Sequence, residues 1–136
     1  MSTMTSQLLE AHQQELPAPG IDLELLQECV EACSACEQAS TVCASGMSGE
    51  GVAACLNAAD MANTMMRAML RPKGMHLDGI MALLHATVAV CDAAVAALTR
   101  NDAMGEDARL CAEACRECSA SCRGLLDYMR STMQWA

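Results

Sequence analysis

The sequence predicts an all-α protein, an antiparallel up-down-up-down four-helix bundle preceded by a short N-terminal leader. Three observations carry that expectation. Prolines stand only at positions 17, 19 and 72, so long stretches are free of the residue that breaks helices. No stretch alternates apolar and polar residues as a half-buried strand would. Cysteines recur instead at steps of three and four, the spacing that returns to one side of an α-helix. With 136 residues the chain is one domain, long enough for a proper core and too short for a barrel.

Residues 1–20 read as a polar leader that ends in Leu16-Pro17-Ala18-Pro19-Gly20, with a short helix expected around Leu8 to Glu15. Residues 21–136 hold the bundle. Asp22 is placed to cap the first bundle helix, which runs to about Ser45. Gly46, Gly49 and Gly51 mark a turn, and the second helix starts at Ser48 or Gly49 and reaches about Leu70. Arg71-Pro72-Lys73-Gly74 stops it. The third helix spans about Met75 to Thr99 and is closed by Asn101 and Asp102. The fourth begins between Met104 and Asp107 and continues past Met129. Helices of about 22 to 27 residues are each near 35 Å long. Short loops make sequential helices antiparallel neighbours, which also sets the first beside the fourth.

The chemistry lies in ten cysteines. Cys29, Cys33, Cys36 and Cys43 fall on one face of the first helix, and Cys111, Cys115, Cys118 and Cys122 on one face of the fourth. At roughly 100° per residue each row stays within a stripe about 80° wide or less. Cys-x3-Cys-x2-Cys occurs in both halves of the chain, a weak internal repeat. With Cys43 taken as the top, Cys29 lies about 21 Å below it; Cys122 lies about 16 Å below Cys111. Cys55 is expected at the top beside Cys43 and Cys111, and Cys91 near the level of Cys36. Ten thiols would then form a column biased toward the seam of the first and fourth helices.

A thiol column suits a soft metal, and Cu(I) is the first choice. A closed-shell ion accepts two or three thiolates, and bridging sulfurs link successive ions. Two-coordinate binding accommodates about five ions, and full bridging on the order of ten. Each thiol must lose its proton, so binding releases protons and weakens in acid. Zn(II) is the competitor, but structural zinc gathers ligands around a point, from loops or loop–helix junctions; these sulfurs lie along a line. Cys-x3-Cys-x2-Cys is also the iron–sulfur spacing of radical enzymes that cleave S-adenosylmethionine. Those carry it once, on a loop of a large barrel, whereas here it occurs twice within helix-forming residues. Free Cys also fills cores, yet Ala, Leu or Val would pack as well without oxidation risk.

Composition narrows the partners. The formal net charge is −9, which argues against nucleic acid, since phosphate binding needs a basic stripe. The N-terminus lacks the basic and apolar regions of a signal peptide. No uninterrupted apolar run approaches the roughly 18 residues of a membrane helix. A cytoplasmic, reducing location is expected, where structural disulfides are rare. No carboxylate pair is placed for acid–base work, and an enzyme is not expected. Glu28, Glu31, Glu37, Glu113 and Glu117 interleave with the thiol rows and read as a solvated face.

At Cys29-Val30-Glu31-Ala32-Cys33-Ser34-Ala35-Cys36 and at Cys111-Ala112-Glu113-Ala114-Cys115-Arg116-Glu117-Cys118-Ser119-Ala120-Ser121-Cys122 the chain resembles the bacterial copper storage proteins and related Cys-rich four-helix bundles. The resemblance covers about residues 22–130. It implies Cu(I) storage on inward-facing thiols, in the cytosolic branch of the family, with bundles packed into homo-oligomers. Copper ions are the implied ligand, delivered by a copper chaperone or a low-molecular-weight thiol. The middle helices depart from the family pattern. The second keeps only Cys55 on a stripe continued by Ala59, Ala62, Met66 and Met69. The third keeps only Cys91, among Ile80, Leu84, Val88, Val95 and Leu98.

Twelve methionines are a heavy load for this length. Met61, Met65, Met66, Met69, Met75, Met81, Met129 and Met133 gather toward the bottom, opposite the loop carrying Met47. They read as flexible core filler in a protein without Phe, or as a thioether-lined end that admits and releases copper. His76 and His85 near that end read as ordinary surface residues or as accessory ligands; His12 carries no signal. Two other classes of function compete. A thiol redox sensor would oxidise i, i+4 pairs, which are poorly aimed for disulfides. A structural or assembly bundle with relict cysteines would gain no stability from metal.

Overall fold

The computed structural model describes residues 3–16, 21–47, 49–100 and 105–132. Five α-helices account for most of them: α1 (Met4–Ala11), α2 (Leu23–Gly46), α3 (Glu50–Met69), α4 (Leu77–Leu98) and α5 (Glu106–Thr132). The expected stop at residues 17–20, the start at Ser48, the closure at Asn101 and Asp102, and Met133 lie outside the described residues.

Local chemistry explains the helix starts. The leader helix begins earlier than expected because Thr3 and Ser6 cap one another. Thr3 Oγ1 accepts from the Ser6 N–H, and Ser6 Oγ accepts from the Thr3 N–H, both at 3.0 Å. Residues Gln13–Glu15 form a separate 3-10 turn. At the head of α2 the Asp22 carboxylate accepts from the Glu24 and Leu25 N–H groups at 2.9 and 3.2 Å, supplying partners for two otherwise orphaned donors. Gly49, before α3, has φ +91°, a left-handed conformation open to glycine at little cost. Glu106 and Asp107 open α5, where negative charge complements the helix dipole.

The four long helices close into a ring in chain order, α2 beside α3 and α5, and α4 beside α3 and α5. Cys29 of α2 lies next to Cys122 of α5, and Cys36 next to Cys115, so these two helices run antiparallel. The lower end is filled by fully or nearly fully buried Leu26, Met65, Met69, Ile80, Leu125 and Met129. The α1 helix packs on α2 and buries Leu9.

On α4 the buried stripe is Ile80, Leu84, Thr87, Cys91, Ala94 and Leu98. Val88 and Val95 were expected there and are only half-buried. The positions four before and three after Cys91 point inward, so Thr87 and Ala94 take the core places. By length and composition α4 could cross a membrane. An uninterrupted-run criterion misses this because Asp78, His85 and Asp92 punctuate the helix. In the fold it is one wall of the bundle, tied to α5 where Ser119 Oγ donates to Asp92 at 2.6 Å and Arg123 to the same carboxylate at 3.1 Å.

Candidate metal centre

All ten cysteines are free thiols and all are buried. The seam between α2 and α5 brings them together in a fixed register. Cys29 Sγ lies 3.4 Å from Cys122 Sγ, Cys33 Sγ 3.7 Å from Cys118 Sγ, and Cys36 Sγ 3.7 Å from Cys115 Sγ. Steps of four and three up α2 are thus matched by the same steps down α5, and each pair forms a rung. The next matched step reaches Ser40, whose Oγ lies 3.4 Å from Cys111 Sγ. Two further thiols join from the other wall. Cys91 of α4 lies 4.0 Å from Cys36, and Cys55 of α3 lies 3.8 Å from Cys111.

Nine of the sulfurs gather in threes: Cys29, Cys33 and Cys122; Cys36, Cys91 and Cys118; Cys43, Cys55 and Cys111. Within each trio the sulfurs lie within 4.8 Å of one another. Cys115 stands between trios, beside Cys36 and Ser40. With metal–sulfur bonds of about 2.3 Å, thiolates around an ion sit about 4 Å apart in a trigonal plane and about 4.6 Å apart across a linear pair. The cross-helix Sγ···Sγ distances of 3.4 to 4.0 Å lie at or a few tenths of an ångström below that range, so an ion between them needs only small side-chain shifts.

The column is electrically quiet when protonated. Burial pushes the thiols of Cys43 and Cys55 up, that of Cys55 further through the neighbouring Cys111. Hydrogen bonds with Cys115, Cys118 and Cys36, together with burial, hold Cys91 well above the usual thiol range. Cys122 runs the other way, lowered by hydrogen bonds from Cys118, Cys29 and Cys33. Glu28, Glu31, Glu113 and Glu117 are exposed on other faces, consistent with a solvated acidic shell.

The methionines divide into two groups. Met65, Met69, Met75 and Met129 are buried at the lower end as core filler, while Met61, Met66 and Met81 are half-buried. Met47, in the loop above α2, has its Sδ 3.2 Å from Cys43 Sγ and 3.9 Å from Cys55 Sγ. A thioether in contact with the thiol column thus stands at the top, and sequence reasoning placed it apart from any site. Its signal was the four-residue step from Cys43. His76 Nδ1 accepts the Gly79 N–H at 3.0 Å and caps α4, and His85 is exposed. Neither faces the thiols. Ser40 also escaped sequence reasoning, although it continues the four, three, four spacing that α5 displays.

The sequence profile of the copper storage proteins matches residues 21–127. The chain belongs to the copper storage protein family. It is similar in structure to the copper storage protein Ccsp of Streptomyces lividans loaded with 10 copper equivalents, at 30% identity and a TM-score of 0.82, covering 91% of this chain and 98% of that one. A histidine-to-alanine variant of the S. lividans protein matches at 32% identity and a TM-score of 0.75, covering 79% and 97% of the two chains. The same cytosolic copper storage protein carrying five coppers matches at 31% identity and a TM-score of 0.72, covering 76% and 93%. No curated protein matches the sequence.

Proposed function

We propose that this chain stores Cu(I) in the cytosol, on thiolates of Cys29, Cys33, Cys36, Cys43, Cys55, Cys91, Cys111, Cys115, Cys118 and Cys122. The observation that carries this reading is the grouping of buried sulfurs into trios within 4.8 Å. Among the described residues they gather in threes and not fours, which favours a two- or three-coordinate soft ion over tetrahedral Zn(II). Zn(II) competes but finds no closed four-sulfur site. Storage needs no turnover, only capacity, affinity and release.

Copper enters from the loop end, where Met47 stands over Cys43 and Cys55; the opposite end is packed with Leu26, Met65, Met69, Leu125 and Met129. A copper chaperone or a low-molecular-weight thiol delivers the ion. The bundle is residues 21–136, with the leader as an accessory packed against it. Bundles associate into a homo-oligomer.

The test is an anaerobic titration of the reduced protein with Cu(I) and with Zn(II), each read by chelator competition. Several equivalents of Cu(I) taken up, with Zn(II) held more weakly, support storage. A fully reduced sample that draws no Cu(I) from a weak chelator refutes it.

A further inference from the structure

Of the four α2–α5 rungs from Cys29–Cys122 to Ser40–Cys111, the last lacks a sulfur on the α2 side. Ser40 is fully buried, at 0 % exposure. Its Oγ lies 3.4 Å from Cys111 Sγ, 3.7 Å from Cys115 Sγ and 3.9 Å from Cys36 Sγ. A hydroxyl inside a helix commonly returns its proton to the carbonyl four residues back. Thr64, Thr87 and Thr99 do this here, donating to the Asp60, Leu83 and Val95 carbonyls at 2.9, 2.8 and 2.7 Å. The Ser40 hydroxyl instead sits among sulfurs, at a place where cysteine would fit with little change in volume.

Oxygen and sulfur part company at a soft ion. A neutral hydroxyl is a hard, poor ligand for Cu(I), but it donates a hydrogen bond well to a thiolate. On α2 the sulfurs therefore stop at Cys36 and resume at Cys43, a gap of about 10.5 Å along the helix. Only the Cys111 to Cys115 step on α5 bridges it. Above the gap stand Cys43, Cys55 and Cys111; below it stand the other seven thiols.

We propose that Ser40 is a positioning residue that divides the sulfur column into two copper-holding units, an upper one of three thiols and a lower one of seven. Its single O–H donates to the thiolate of Cys111, the nearer sulfur at 3.4 Å, and the missing sulfur breaks the chain of bridging thiolates along α2. The upper unit exchanges copper with solution, and the lower unit is the deep store. This rests on the copper storage reading above.

The experiment is anaerobic chelator competition on the full reduced protein and on Ser40→Cys and Ser40→Ala, with copper-dependent luminescence and the rate of release to a strong chelator. The wild type should release copper in two phases, the faster being the smaller. Ser40→Cys should gain on the order of one equivalent and release in a single phase. Ser40→Ala should keep both phases, with the faster one accelerated about three- to tenfold through loss of the hydrogen bond. A wild type that takes up Cu(I) but releases it in one phase overturns the division and leaves storage standing. A folded Ser40→Cys with unchanged capacity and two phases also overturns it. Should Ser40→Cys fail to fold, Ser40→Ala decides, and an unchanged fast phase overturns the positioning role.

Discussion

Replacing Cys91 by alanine measures how strongly the fold holds its thiols in the neutral form. Cys91 is the single cysteine of α4 and is fully buried, at 0 % exposure. Its pKa is raised by hydrogen bonds with Cys115, Cys118 and Cys36 and by burial. A cysteine in the unfolded chain titrates near about 8.5. Above that pH the unfolded chain has given up a proton that the folded protein keeps, so the folded state binds more protons and stability falls as pH rises. The contribution is fully present below about pH 8.5 and is lost progressively as pH climbs toward the folded pKa. One such thiol changes stability by about 1.4 kcal/mol per pH unit. From pH 9 to 10.5 that is roughly 2 kcal/mol, against a total of about 5–15 kcal/mol for a domain.

The assay is urea unfolding of the metal-free, fully reduced protein at several pH values from 7.5 to 10.5. Wild-type stability should decline above pH 8.5, and Cys91→Ala should shallow the decline by up to about 1.4 kcal/mol per pH unit. The fixed cost of the smaller side chain offsets the curve without changing its slope. Because Cys115 and Cys118 share hydrogen bonds with Cys91, part of the change passes to them. A wild type whose stability is flat to pH 10.5, or a variant with an unaltered slope, refutes the claim that hydrogen bonds to neighbouring thiols and burial keep Cys91 protonated.

Two further outcomes follow from the same packing. Leu84→Ala empties a fully buried position in the wall opposite the α2–α5 seam and should cost about 2–5 kcal/mol; a loss below 1 kcal/mol in thermal or urea melts would mean that α4 is not packed as described. Copper uptake should release about one proton per thiol engaged, since neutral buried thiols must ionise to bind. In weakly buffered solution with a pH indicator, proton release should track Cu(I) added, and binding should weaken as pH falls; uptake without proton release would place copper elsewhere.

Much of this was legible in the sequence because each helix carries its own facing rule. The three- and four-residue steps of Cys29, Cys33 and Cys36, and of Cys111 to Cys122, assign the inner side of α2 and α5 before any partner is known. Glycines and Pro72 punctuate the turns, and Asp22 marks a helix start. The all-α class, the thiol rows, and the levels of Cys55 beside Cys111 and Cys91 beside Cys36 all came from that local period and the rise per residue.

What local period leaves open is how far one helix slides and rotates against the next, because loop closure and core packing fix that together. Only the folded bundle decided that Ser40 stands opposite Cys111, that Met47 reaches back to Cys43, and that Thr87 and Ala94 displace Val88 and Val95 from the core. It also decided that His76 spends its ring nitrogen on a backbone N–H. Each of these depends on atoms from separate segments meeting within a few ångströms, a condition that a one-dimensional spacing cannot express.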